Sequence, residues 1–228
     1  MRRRRILQRD NDDLMHHPNE KINQLGKYIN LLDSHKDLNV LELFGGYGNL
    51  TGQYLKLGAT TVIEKDTKKV QHLKDTYKEA DVIKADSFLK IHDIIYHKNK
   101  YDIVDVDPYG FPNRLFPHIY LTMEDSLFFV TMPKPYVNVL NGITQTHLIS
   151  YFKHQNPSIE TIIEQFCSWG LCHWRSVQLL DCIDLKSVWR ICFHVKKVKA
   201  TEYTNTVNRK IEITGIINKN PQIKLFDL

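Results

Sequence analysis

The chain has 228 residues, 42% of them hydrophobic and 25% charged, and a formal charge of +5. That length suffices for one sizeable domain with a full core. A mean hydropathy of −0.37 and the absence of any 18-residue apolar run exclude a membrane-spanning helix, and ten dispersed glycines with eight prolines exclude collagen-like or low-complexity sequence.

Residues 1–18 are polar and read as an irregular arm that ends at His16-His17-Pro18. From Glu20 to Ser34, the residues Ile22, Leu25, Tyr28, Ile29 and Leu32 recur at spacings of three and four, which predicts a helix. Leu38 to Phe44 is a short apolar run opening into Gly45-Gly46-Tyr47-Gly48, a strand followed by a tight turn. Leu50 to Leu57 predicts a helix closed by Gly58, and Thr60 to Glu64 a β-branched strand. Asp66 to Lys78 is helical, with Asp66 or Thr67 as N-cap. Val82-Ile83 is a brief strand, Ser87 to Tyr96 a helix, and Tyr101 to Val106 a strand that ends in Asp107-Pro108-Tyr109-Gly110. Leu115 to Glu124 reads as helix and Ser126 to Met132 as strand. After Pro133-Lys134-Pro135 a long, mostly helical stretch runs to about Trp169.

Trp174 to Ile183 and Val188 to Lys197 form two strands around Asp184-Leu185-Lys186. In the second, Trp189, Ile191, Phe193 and Val195 alternate with Arg190, Cys192, His194 and Lys196. Residues 199–228 are polar, with one β-like patch at Ile211–Ile217. Five strand-then-helix units followed by an antiparallel pair predict an α/β fold with a mostly parallel sheet, covered on both faces. The chain divides accordingly into a basic arm (1–19), a central domain (20–198) and a tail (199–228).

Basicity is local. Arg2, Arg3, Arg4 and Arg5 supply four of the positive charges, and the remainder carries about +1. A second group, Lys196, Lys197, Lys199, Arg209 and Lys210, lies late in the chain. Clustered cations attract phosphates through counterion release, although a short terminal run also serves as a solvated end. No apolar core of a secretory signal follows the arginines, so export is not expected and a cytoplasmic location is. Cys167, Cys172, Cys182 and Cys192 contain no CxxC pair, so neither a zinc site nor a disulfide framework is expected. Cys182 and Cys192 read as small buried apolar residues in strands.

On an open parallel sheet, ligands bind beyond the carboxyl ends of the strands, so informative residues should follow each strand. Glu42-Leu43-Phe44-Gly45-Gly46-Tyr47-Gly48 follows the first. Its glycines allow a sharp turn and close approach of a ligand to the backbone; the alternative is a plain turn. The third glycine of a dinucleotide fingerprint is replaced by Thr51, which favours a nucleoside ligand over a pyrophosphate. Glu64 ends the second strand, where a carboxylate can accept both ribose hydroxyls. Asp86, after the third, can meet an adenine amino group or simply cap the next helix.

The strongest signal is Asp107-Pro108-Tyr109-Gly110-Phe111, after the fourth strand. A carboxylate beside a carbonyl, with a planar aromatic next to them, suits an exocyclic amine on a base. The lone pair of such a nitrogen is delocalised into the ring. Two acceptors that take its two N–H bonds return density to nitrogen and orient it. Tyr109 or Phe111 can stack on a base taken out of its helix. The alternative is a strand-ending turn.

Phe44-x-Gly46-x-Gly48 with Glu64, Asp86 and Asp107-Pro108-Tyr109-Gly110 resembles the class I S-adenosylmethionine-dependent methyltransferases over about residues 20–198. The segment Asp107-Pro108-Tyr109-Gly110-Phe111-Pro112 is similar to the Asp-Pro-Phe/Tyr-Gly-x-Pro motif of the tRNA guanine-N2 dimethyltransferases. The resemblance implies a Rossmann-like class I methyltransferase sheet, mostly parallel with a C-terminal antiparallel hairpin, and S-adenosyl-L-methionine as cofactor. It implies cofactor contacts from Glu42, Phe44, Gly46, Gly48, Glu64, Lys65, Asp86, Ser87 and Asp107. Asp107, Pro108 and Tyr109 are implied as catalytic, and Tyr109, Gly110 and Phe111 as substrate-binding, with Arg2, Arg3, Arg4 and Arg5 on phosphates. The implied partner is nucleic acid, RNA ahead of DNA, with no metal and no membrane. Lys134 reads as a solvated charge ahead of a phosphate contact, and Tyr47 and Tyr136 as aromatics near the base or in the core. The family's large carboxy-terminal domain has no counterpart in the roughly 30 residues after the last strand. A DNA adenine or cytosine amino-methyltransferase and a methyltransferase-like binding module without activity stay open as alternatives.

Overall fold

The computed structural model describes residues 17–32, 37–108, 110–134, 145–154 and 156–198. The arginines at positions 2 to 5, Tyr109, Tyr136 and the Ile211–Ile217 patch lie outside these residues.

Seven strands form one sheet in the order β3-β2-β1-β4-β5-β7-β6. They are β1 (Leu38–Leu43), β2 (Gly58–Glu64), β3 (Asp81–Lys84), β4 (Ile103–Val106), β5 (Asp125–Pro133), β6 (Arg175–Leu185) and β7 (Val188–Lys197). Strands β1 to β5 pair in parallel, while β7 runs antiparallel to both β5 and β6. The sheet therefore has the mixed architecture expected from the sequence.

The helices are α1 (Pro18–Tyr28), α2 (Thr51–Tyr54), α3 (Thr67–Thr76), α4 (Ser87–Tyr96), α5 (Gln145–Phe152) and α6 (Ile159–Leu171). Pro18 opens α1, where its missing N–H would have had no partner. Asp66 caps α3 by accepting from the amides of Lys68 and Lys69, and Asp86 caps α4 by accepting from Phe88. No helix among the described residues is long and apolar enough to cross a membrane.

Three stretches differ from the sequence reading. Leu115–Glu124 is two short 3-10 turns, Asn113–Leu115 and His118–Thr122, because Pro117 lacks the N–H that an α-helix would need there. The Leu50–Leu57 helix shrinks to the single turn of α2, with Gly52 inside it. Among the described residues, the helical stretch before Trp169 is two helices, separated around Pro157.

Strand side chains alternate, so the sheet has two apolar faces. Leu41, Leu43, Val104, Val106, Phe128 and Val130 pack against α4, α5 and α6. Val40, Ile103, Leu127, Phe129 and Cys192 pack against Leu25 of α1 and Tyr54 of α2. Each such side chain, fully buried, contributes on the order of 1.5–3 kcal/mol. Helix α1 is further tied to the hairpin: Gln24 donates to the Arg190 carbonyl (3.4 Å), Tyr28 to the Leu180 carbonyl (3.0 Å), and Lys27 pairs with Asp181 (3.4 Å). This placement decides the site, because Asp105 and Asp107 follow Ile103 on the face that α1 covers.

Candidate active site

The loop after β1 is shaped by its glycines, each for a different reason. A Cβ on Gly45 would lie 2.3 Å from Cγ1 of Val62, so the loop sits directly on β2. A Cβ on Gly48 would lie 2.4 Å from the Tyr77 ring, and Gly48 also has φ +83°. Tyr77, at the end of α3, fills that space and donates to the Gly48 carbonyl at 2.9 Å. Its ring also faces Gly52, 3.1 Å from where a Cβ would be. Of the loop's glycines, Gly46 is the one that faces open space: a Cβ there would meet nothing nearer than the Phe44 carbonyl oxygen, 3.9 Å away. Thr51, standing where a dinucleotide fingerprint has its third glycine, is fully buried and donates to Glu42 at 2.6 Å.

That loop forms one wall of a cleft of about 470 Å³, counting its open mouth. Glu42, Phe44, Gly46 and Asp107, four of the residues expected at the site, line it. Lys21 of α1, Asn49 and Lys69 of α3 join them, and none of these three was anticipated. Lys21 is 4% exposed and its ammonium pairs with Oδ2 of Asp107. Burial alone would push the Asp107 carboxyl up. The charges of Lys21 and Arg190, with bonds from Lys21 and Thr131, outweigh burial and hold it below the usual carboxylate range. Glu42 is different: burial raises its carboxyl to about 8, against a lowering bond from Thr51, and the nearby Asp105 and Asp107 add to the rise.

Beneath the cleft lies a buried polar network that the sequence does not announce. Arg190 of β7 bonds both carboxylate oxygens of Asp105 at 2.7 Å and the Thr131 hydroxyl at 3.1 Å. Tyr54 of α2 donates to Oδ2 of the same aspartate. Arg190 falls on the polar side of an alternating strand in the sequence, but α1 roofs that side, so residues 189–195 of β7 are buried on both faces. The signal that could have marked Lys21 is its position four before Leu25, on the apolar stripe of α1.

The other expected residues fall around the cleft rather than in it. Glu64 accepts from the amides of Gly46 (3.0 Å), Lys65 (2.8 Å) and Asp66 (2.7 Å), which ties the loop to β2. Three of its roughly four acceptor positions are thereby used, so the two-hydroxyl grip on a ribose is not free in this conformation. Asp86 caps α4, Ser87 is buried at the start of that helix, and Lys65 is exposed; none of them lines the cleft. Pro108 and Gly110 flank Tyr109 just past β4, with Gly110 at φ +112°. The Phe111 ring is packed edge-on against Tyr151 and Phe152 of α5 and does not line the cleft. Lys134 differs from its expected exposure. It is 5% exposed, both carboxylate oxygens of Asp184 lie 2.6 Å away, and its ammonium lies over the Trp189 ring, so it is a clamp at the hairpin rather than a solvated charge. Cys182 and Cys192 are fully buried as expected, and burial pushes both thiols up. No group of three His, Cys, Asp or Glu among the described residues could hold a metal ion.

No protein-family model and no curated protein matches the chain. Solved structures do. Trm1 from Pyrococcus horikoshii, solved with S-adenosyl-L-methionine, is similar with a TM-score of 0.59 and 10% identity, over 89% of this chain and 58% of its own. The plantazolicin methyltransferase BpumL, solved in complex with SAH, has a TM-score of 0.57 and 11% identity, over 82% of this chain and 87% of its own. Trm5b from Pyrococcus abyssi has a TM-score of 0.51 and 12% identity, over 76% of this chain and 48% of its own. This chain thus spans about half the length of the two Pyrococcus proteins. The fold is the Rossmann-like fold of these methyltransferases, with the glycine loop and Asp107 at the carboxyl ends of adjacent parallel strands.

Proposed function

We propose that the chain is a methyltransferase that uses S-adenosyl-L-methionine and acts on an exocyclic amino group of a nucleic-acid base, guanine N2 in tRNA or other RNA ahead of adenine N6 or cytosine N4 in DNA. The observation that carries this reading is that Asp107 lines the same cleft as Gly46 and already accepts a bond there from a nitrogen donor.

The residues present fit the cofactor. The cleft is lined by two ammonium groups, Lys21 and Lys69, and two carboxyl groups, Glu42 and Asp107, which complement an amino-acid moiety. Gly46 leaves its backbone open to close approach, and Glu64 keeps one acceptor position for a single ribose hydroxyl. When bound, the cofactor supplies a methyl group activated on a sulfonium. Asp107 and the Pro108 carbonyl then hold the two N–H groups of the amine, and its lone pair is left facing the cleft. Tyr109 is assigned to stacking on the base, and Arg2 to Arg5, in an arm before the domain, to its phosphates.

Incubation with methyl-labelled cofactor and separate RNA, DNA and protein pools, followed by nucleoside mass spectrometry, tests this. Label in N2-methylguanosine is the expected result. Label in DNA would shift the substrate, and label only in protein would remove the nucleic-acid assignment.

A further inference from the structure

We propose that Lys21 binds the carboxylate of the cofactor's amino-acid part, and so makes the chain prefer ligands that carry one; this rests on the cofactor reading above. An ammonium has three N–H donors. Lys21 is 4% exposed, and among the described residues Asp107 is its one partner, so two donors remain for something else in the cleft that it lines. The amides of Tyr47 and Asn49, two further lining residues, also have no acceptor among the described residues. A carboxylate offers about four acceptor positions and fills such a set. Lys69, the other ammonium of the lining, is the more accessible of the two and lies over the Tyr47 ring at 5.2 Å. A charge-assisted bond to the buried ammonium is the stronger one, because less water competes for it.

The charge balance agrees. Lys21 and Asp107 already neutralise each other, so an amino-acid part that brings an ammonium with its carboxylate adds no net charge beside them. Gln24, Tyr28 and Lys27 fix α1 on the hairpin, so Lys21 is presented from a seated helix rather than from a free arm.

The test is a coupling cycle on the full chain between one side chain and one ligand group. Isothermal titration is run with S-adenosylhomocysteine and with its decarboxylated analogue, which keeps the amine and the nucleoside. Wild-type protein is expected to prefer the carboxylate-bearing ligand by roughly tenfold or more, as a buried charge-assisted bond implies. In Lys21→Met the two ligands should bind within about twofold of each other, and Lys21→Arg should restore most of the preference. A preference that persists in Lys21→Met overturns the proposal. So does an equal loss of both ligands with the preference intact, which marks Lys21 as a structural residue only. Should the variants not fold, the wild-type side-chain ammonium resonance of Lys21 decides: it shifts with S-adenosylhomocysteine and not with the analogue, and identical responses overturn the proposal. Wild-type protein that binds neither compound overturns the cofactor reading itself.

Discussion

Arg190 and Asp105 meet through two 2.7 Å bonds in the middle of the sheet, where each side chain is only 1% exposed. Burial opposes the charge on Arg190, but Asp105 outweighs it and raises the guanidinium above its ordinary pKa. The pair is one strand position from the active-site end of β4, so it forms the floor on which Asp107 stands.

Removing one partner leaves an uncompensated charge inside the protein. Arg190→Ala is therefore expected to lower stability by about 3–5 kcal/mol. Urea unfolding monitored by circular dichroism measures this, and a loss under about 1 kcal/mol would show that the pair is not buried as described.

The Tyr77–Gly48 contact predicts a separation of effects. Gly48→Ala forces a methyl group into the Tyr77 ring and a side chain onto φ +83°, which is expected to cost about 1–3 kcal/mol and to weaken nucleoside binding. Tyr77→Phe removes one hydrogen bond and keeps the ring, so it should cost about 1 kcal/mol and leave binding within a fewfold. Thermal melts with and without S-adenosylhomocysteine separate the two.

Glu42 predicts a pH effect whose sign is fixed. Its carboxyl titrates near 8 in the folded chain and near 4.5 when unfolded. Between those values the folded state holds the extra proton, so stability falls as pH rises, by up to about 1.4 kcal/mol per pH unit. Below about 4.5 this loss is absent, and above about 8 it is complete. Glu42→Gln should flatten that slope, as measured by unfolding at several pH values between 4.5 and 8. An unchanged slope would place the titration elsewhere.

Asp107→Asn is expected to lower turnover by at least about 10²-fold, the usual effect of losing a positioned polar group. It also leaves the Lys21 ammonium without its counter-charge, so stability falls as well. The double change of Asp107→Asn with Lys21→Met should recover stability but not turnover. Recovered turnover would remove Asp107 from the chemistry. Melting curves and a methyl-transfer assay on the same preparations decide this.

Local signals carried the strands, the caps and the post-strand carboxylates. Ser87–Tyr96 is helical over its expected span because Asp86 caps it and its apolar residues repeat at helical spacing. Asp107 follows β4 because four buried residues precede it. Lys21 and Arg190 were not legible, because what buries them is far away in sequence. Lys21 needs a carboxylate 86 positions on, and Arg190 needs one 85 positions back and a helix over its face. Glu64 was placed at the right strand end, but the bonds that occupy it come from a loop conformation that composition does not encode.

The seat of α1 on the hairpin also fixes an order of events during synthesis. The helix is made before them, yet the groups that hold Gln24, Lys27 and Tyr28 belong to β6 and β7, more than 150 residues later. A nascent chain can pair the parallel strands and lay Leu25 of α1 against them, but the bonds that hold Gln24, Lys27 and Tyr28 close only once β6 and β7 have been made. The helix that carries Lys21 is therefore locked over Asp107 by strands made after the one that precedes Asp107.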